Sequence, residues 1–298
     1  MFRRLLPPAL LGLLLWLLWD AGAVQAAARE ALGLCARSVI PALLPFLVVT
    51  DLLLSLCALP TGPLSGLMAL YGLPGCAASA LVLGLVGGYP VGARTAAQLY
   101  EQGRLTRPEA ERLLTFCSNS NPVFLLSVLG GGVFHSLRVG VWLWLIHLAA
   151  ALVTGLLFRG PRQDRREAPP AVPSDPPAFL PALAGALSRG GGAMVSVCAC
   201  VVCFYVLLTP LRALEGLVPT ALIGLVELFS LVPRLTPDAV GLVLASGCGG
   251  WGGLSVLAQS AAVLRDSGLS LRPLVRGKLV QGLLAALLAG LLAPWLLA

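Results

Sequence analysis

Charge is what this sequence has least of. Asp, Glu, Lys and Arg make up 11% of its 298 residues, against 58% hydrophobic residues and a mean hydropathy of +0.91. A soluble protein of this length could not cover its surface from so small a polar stock, which excludes the soluble globular class. Acidic residues are the scarcer sign, 13 against 20 Lys and Arg, for a net charge of +7. That excess does not point to nucleic acid: the basic residues stand at the ends of apolar runs, where membrane topology places them, and no aromatic-basic patch accompanies them. Histidine is nearly absent, with only His135 and His147. No GxSxG elbow, HExxH pair or GxxxxGK[ST] phosphate loop occurs, and Gly88 to Gly92 lacks the βαβ context of a dinucleotide fingerprint. The expectation is a protein that is not an enzyme and takes no cofactor and no metal.

The eight cysteines lie at 35, 57, 76, 117, 198, 200, 203 and 248, without the spacing of a secreted disulfide framework. Cys198, Cys200 and Cys203 imitate a metal cluster, yet no His or carboxylate stands near them, and they read as small apolar thiols packed between helices.

What is present is a series of apolar runs long enough to cross a hydrocarbon core of ~30 Å. The fold class expected is an all-α polytopic membrane protein: two half-repeats with broken or re-entrant helices meeting at a central solute site, with the bilayer as its surroundings and homo-oligomerisation left open. The division is residues 1–158, a basic Pro-rich cytoplasmic linker 159–178, and residues 179–298. Arg3-Arg4 before an apolar run imitates a signal peptide, but the positive-inside rule favours an uncleaved first span. Pro41 and Pro45 interrupt the run from Ala31 to Leu59. Spans are expected over Ser136–Phe158, Gly190–Leu214, Leu217–Val232, Asp238–Leu264 and Leu274–Leu297. His147, inside the first of these, reads as a hydrogen-bonded core residue rather than a proton relay. Thr106, Pro108 and Glu109 form a helix-start signature on a solvated helix.

The chain is organised around Leu83 to Gly132. Gly88, Tyr89, Pro90, Gly92, Arg94, Gln98 and the run Ser118-Asn119-Ser120-Asn121-Pro122 break helices or need hydrogen-bond partners, and hydrocarbon supplies none. A second interruption follows at Gly249-Gly250-Trp251-Gly252-Gly253-Leu254-Ser255, with Gln259 beyond it. Laying Gln98 over Gln259, an offset of 161 residues, superposes Gly88 on Gly249 and Gly92 on Gly253. Interrupted segments in corresponding halves are the best sequence pointer to a transporter site. The candidate substrate-binding residues are Tyr89, Arg94, Gln98, Asn119, Ser120, Asn121, Ser255 and Gln259, and the helix breaks fall at Gly88, Pro90, Gly92, Pro122, Gly250, Gly252 and Gly253. Helix starts after Pro90, at Pro122 and after Gly253 would each present about half a positive charge. With Arg94 they favour an anionic or strongly polar ligand. Glu227, the one acid expected deep in an apolar run, is a candidate proton-coupling group.

The blocks Pro41-x-x-x-Pro45-Phe46, Gly88-Tyr89-Pro90-Val91-Gly92-Ala93-Arg94, Glu109-Ala110-Glu111-Arg112-Leu113-Leu114-x-Phe116, Asn119-Ser120-x-Pro122 and Gly252-Gly253-Leu254-Ser255-Val256-x-Ala258-Gln259 carry a resemblance. The chain resembles, from about Ala28 to Gln281, the YlbJ-type sporulation integral membrane proteins, among the families with the nucleoside-recognition "Gate" domain. The resemblance implies a permease of endospore formers that passes dipicolinic acid, a planar dianion, across the outer forespore membrane. Asn121 departs from it, standing where the family usually has glycine. A nucleoside- or nucleobase-type permease and a non-transporting scaffold for spore-envelope assembly are the alternatives.

Overall fold

The protein is seen in a computed structural model that describes residues 2–56, 62–161 and 178–297. Cys57, the Arg3 and Arg4 side chains and linker residues 162–177 lie outside the described residues. Among the described residues every regular element is a helix. Five helices are long and apolar enough to cross a membrane: Ala21–Leu53, Leu137–Leu157, Phe179–Leu207, Ala239–Leu264 and Arg272–Leu296. The protein is an all-α polytopic membrane protein.

Helix α1 (Phe2–Trp19) meets α2 (Ala21–Leu34) at Asp20, and α2 runs through a wide turn, Cys35–Val39, into α3 (Ile40–Leu56). Ile40 N–H bonds Cys35 O, one residue further back than in an α-helix. That widening sits in the turn before Pro41, which is how the span passes its first proline without stopping. The expected interruption at Pro41 and Pro45 is therefore a wide turn within a continuous helix.

Contacts between loops identify two ends of the molecule. At one end Arg107 donates to Gly268 O (3.1 Å), Ser270 N–H to Glu111 (3.1 Å), Arg112 to Gly72 O (2.9 Å) and Cys76 Sγ to Arg104 O (3.6 Å). Gly160 lies against Arg112, so the linker leaves from this end. At the far end Arg234 donates to Arg212 O (3.0 Å) and Thr220 Oγ1 (3.2 Å), Arg212 pairs with Glu30 (3.0 Å), and Arg138 lies 5.1 Å above the Trp295 ring.

The helices trace between these ends as follows. After the short α4 (Ser65–Leu70), α5 (Ala78–Gly87) enters from the linker end, turns at Gly88-Tyr89-Pro90, and α6 (Val91–Glu101) returns beside it as a re-entrant hairpin. Helix α7 (Arg107–Leu113) enters again, breaks through Ser118–Asn121, and continues to the far end as a π-helical segment, Phe124–Val133. Helix α8 (Leu137–Leu157) comes back, and beyond the linker α9 (Phe179–Leu207) crosses to the far end, where α10 (Thr209–Arg212) caps it. From that end α11 (Leu217–Val226) enters, turns at Glu227, and returns through α12 (Leu228–Leu231) to Arg234. Helix α13 (Ala239–Trp251), a break at Gly252, and α14 (Gly253–Leu264) then cross to the linker end, and α15 (Arg272–Leu296) crosses back.

The order crossing helix, re-entrant hairpin, broken crossing helix, crossing helix thus occurs twice with opposite sidedness: α3, α5–α6, α7 with its π segment and α8, then α9, α11–α12, α13–α14 and α15. This is an inverted repeat. It replaces the 161-residue register, which paired a hairpin tip (Gly88) with a break in a crossing helix (Gly249 to Gly253). The break answering Gly252 is Ser118–Asn121. Leu217–Val232, expected to cross, doubles back, because the ten residues of α11 reach only about 15 Å at 1.5 Å per residue.

Apolar packing follows the same layering. One core joins Tyr71, Leu113, Phe116, Leu264 and Leu274 at the linker end, and another joins Phe134, Leu143, Leu231, Leu242 and Leu296 at the far end. The polar breaks lie between them. Leu43 and Leu47 of α3 pack with Val197 and Val201 of α9 to bind the first repeat to the second.

Candidate solute site

A helix that stops in hydrocarbon leaves carbonyls without partners, and each must be satisfied inside the protein. Here side chains from one break serve another. The end of α5 offers Val86 O, which accepts from Asn121 Nδ2 (3.0 Å), while Asn121 Oδ1 accepts from Val123 N–H (2.7 Å). Asn121 thus caps two helix ends at once. It keeps an ordinary negative φ, and Gly88 at φ +78 packs its backbone against it, so the place of a glycine is taken without strain. The end of α13 offers Gly249 O, which accepts from both the Tyr89 hydroxyl (3.2 Å) and the Ser120 hydroxyl (3.1 Å). The end of α11 offers Leu225 O, taken by Trp251 Nε1 (2.8 Å). Glu227 accepts from Phe229 N–H (3.1 Å) and Ser230 N–H, capping α12.

The breaks enclose a cavity of about 30 Å³ lined by Tyr89, Ser120, Asn121, Glu227, Ser255 and Gln259, with Leu43 of α3 and Val197 and Val201 of α9 closing one side. Phe124 and Phe229, in edge contact at 5.0 Å between centroids, form an aromatic wall. This brings together five of the eight substrate-binding residues read from the sequence, and Glu227 with them. The volume accommodates about two waters and no organic solute, so the conformation is a closed one.

Three predicted residues lie elsewhere. Asn119 is behind the cavity: its Oδ1 accepts from Gln281 Nε2 (2.9 Å) and its Nδ2 donates to Phe116 O (2.9 Å). Arg94 and Gln98 line a separate cleft of about 390 Å³ toward the linker end, together with Arg189 and Glu101. There Arg94 pairs with Asp51 of α3 (3.3 Å), and Arg189 of α9 pairs with the same carboxylate (2.6 Å). Arg94 therefore neither lines the cavity nor reaches out alone to the membrane surface. Asp51, with a side chain only 8% exposed, is a second acid deep in an apolar run, which corrects the reading of Glu227 as the only one. Asp51 keeps Arg189 when Arg94 is lost, so Arg94→Gln should cost only about 1 kcal/mol, within the range of partly exposed pairs. Asp51→Asn should cost more, since it removes the charge that both arginines share and leaves α3 only the bond from Arg189 to Ser55 Oγ (3.1 Å). Thermal midpoints of the two variants and of the double variant check the order.

Of the three expected helix starts, that at Pro122 is capped by Asn121 and that of α6 folds its first N–H, Val91, onto Gly88 O (2.9 Å). Gly252 and Gly253, at φ +85 and +88, carry the chain into α14, where a side chain at Gly253 would meet Val226 O. Among the described residues no Lys or Arg lines the cavity, so the charge pattern expected from Arg94 is not what surrounds it.

The charge that is present lies one layer behind, and the sequence reading missed it. Lys278 of α15 is fully buried. Its ammonium donates to Ser118 O (2.8 Å), the orphan carbonyl of the α7 break, and to Gln281 Oε1 (2.7 Å), and sits 4.8 Å above the Tyr89 ring. His147 Nε2 accepts from Ser120 N–H (3.2 Å) and lies 3.3 Å from Gln281 Nε2. His147 is the hydrogen-bonded core residue expected. In the sequence Lys278 stands close behind Arg272 and Arg276 at the start of the last apolar run, the pattern of charges that mark a membrane surface. The signal against that grouping is position: six residues into a straight helix is about 9 Å of depth, and Lys278 and Gln281 share one face three residues apart.

Two re-entrant hairpins, one from each end, and two broken spans converging on a cavity define a class, that of polytopic membrane proteins with a central polar site on an inverted repeat. The chain is similar to the sporulation integral membrane protein YlbJ of Bacillus subtilis (strain 168), with 31% identity over 136 residues, 45% of this chain and 33% of that protein. The chain matches one third of that relative's length. This likeness bears out the resemblance to YlbJ-type proteins, while the Gate-domain part of it has no counterpart in the comparison. No family model matches the chain, and no solved structure matches it.

Proposed function

We propose that the protein is a solute permease of the sporulating cell that carries a small organic anion, dipicolinate first among them, across the outer forespore membrane. The observation that carries the reading is the meeting of both hairpin tips and both helix breaks around one polar cavity. A protein without transport would have no use for Ser120, Asn121, Ser255 and Gln259 at that depth, where each uncompensated polar group is costly. The likeness to the sporulation integral membrane protein YlbJ supports the sporulation setting. Dipicolinate follows from the resemblance, and the amide and hydroxyl donors suit carboxylate oxygens. A second reading has its own support: among the described residues Glu227 is the one acid lining the cavity and no cation joins it, which suits an uncharged polar ring such as a nucleoside.

Uptake of labelled dipicolinate into proteoliposomes, with uridine and adenine as competitors, separates these. Saturable uptake resisting both competitors supports the anion permease. Uptake of labelled uridine instead would transfer the site to the nucleoside reading, and uptake of neither would leave a scaffold.

A further inference from the structure

Lys278 is a cation in the interior without a carboxylate. Among the described residues no acid lies within ion-pair distance of it. An isolated ammonium is among the most costly groups to bury, and intramembrane ionisable residues mark function. Its partners are all neutral oxygens or a π face: Ser118 O, Gln281 Oε1 and the Tyr89 ring. Oxygen donors at the carbonyl end of a broken helix form the surroundings in which transporters hold a coupling cation. In this chain the place is filled by a side chain of the protein.

The titratable groups facing Lys278 are Tyr89 from the hairpin tip, Cys117 from the segment after α7, and His147 from α8. Helix α13, packed closest to α15, lays Gly247, Gly250 and Trp251 against Gly282, one turn beyond Lys278. Tyr89 also lines the cavity, so one side chain touches the solute site on one side and the ammonium on the other.

We propose that Lys278 is the coupling site of the permease, a cation built into the protein whose proton is lost and regained once per transport cycle. This rests on the permease reading above. In the closed state the ammonium ties Ser118 O to α15 and holds the Tyr89 ring at the mouth of the cavity. When the site opens to the side of lower proton concentration, one Nζ–H bond breaks, the electron pair stays on nitrogen, and the proton passes to water. The neutral amine no longer holds the Tyr89 ring by charge, and the hairpin tip loosens to what the Tyr89 hydroxyl on Gly249 O and Asn121 on Val86 O hold. Protonation from water on the other side restores the closed arrangement. Glu227, engaged with two backbone N–H groups of α12, is left as a cap.

The test uses the full chain in proteoliposomes at zero membrane potential, with dipicolinate and uridine as probes. Counterflow by the wild-type protein first establishes the permease itself. A gradient of one pH unit should then drive accumulation of the transported probe about tenfold, the limit for one proton per solute, since one unit corresponds to a factor of ten. Lys278→Met removes the proton site, and Lys278→Arg keeps the charge but cannot release it at these pH values. In both variants the accumulation ratio with and without the gradient should fall to about one. A variant that keeps the wild-type gradient response overturns the proposal. So does a wild-type protein that shows counterflow but ignores the gradient, a result that needs no variant to fold. Absence of wild-type counterflow for both probes removes the permease reading and this inference with it.

Discussion

Gly92→Val protein should fail to accumulate as a folded species, and Gly84→Val should fail with it. The two glycines face each other across the arms of the α5–α6 hairpin, and a side chain on either would overlap the carbonyl of Cys117 in the segment after α7. The backbones of α5, α6 and the segment after α7 meet there with no side chain between them. A branched side chain at that contact must separate the hairpin from the broken span, opening the linker-end core at Leu113 and Phe116. The loss should be about 4 kcal/mol or more, in the range reserved for gross overpacking and core disruption. Gly191→Ala in α9 is the control, because nothing lies within 4 Å of the position. It should be neutral or stabilising by up to about 1 kcal/mol, the helix-propensity gain. Thermal midpoints and the monodisperse fraction in detergent report both.

Asn121→Ala should be the most damaging single change among the cavity-lining residues. It deletes the donor to Val86 O and the acceptor for Val123 N–H, leaving two partly buried backbone groups unpaired at membrane depth, at about 1–3 kcal/mol each. Asn121→Asp separates the two roles. A carboxylate still accepts from Val123 but faces Val86 O with oxygen instead of a donor, so the hairpin tip loses its tie while the π-helical segment keeps its cap. Asn121→Asp should therefore retain more thermal stability than Asn121→Ala when the new acid is ionised, and both should show reduced uptake. Equal stability of Asn121→Ala and wild type would mean that the breaks do not depend on each other.

The breaks were legible in the sequence because hydrocarbon makes no exception for them: Gly88-Tyr89-Pro90, Ser118 to Pro122 and Gly252-Gly253 had to be buried in protein, and they are. Their connection was not legible. Leu217–Val232 has the apolar composition of a span, and it is the cap at Glu227 together with the bonds of Arg234 back to Arg212 and Thr220 that shows the chain turning back. The relation between the halves is not carried by the 161-residue superposition, because glycines are common enough to align at many offsets, whereas an inverted relation matches elements rather than residue types. Arg94 looked like a lone cation at a half-helix start, and its partner Asp51 lies in a run whose prolines drew attention instead. Lys278 was hidden by Arg272 and Arg276, which gave it the appearance of one more surface charge. Asn119 was recognised as polar at depth, but which layer it occupies depends on Gln281, 162 residues away.

The central claim is that solute binds where the hairpin tips and helix breaks meet, and not in the larger Arg94 cleft. In a background with the native cysteines replaced, single cysteines at Ser255, Ser120 and Gln98 can be alkylated by a small membrane-permeant maleimide with and without the transported solute. The account predicts that saturating solute slows alkylation of Ser255→Cys and Ser120→Cys severalfold and leaves Gln98→Cys unchanged. Protection of Gln98→Cys, with Ser255→Cys and Ser120→Cys indifferent to solute, would contradict it.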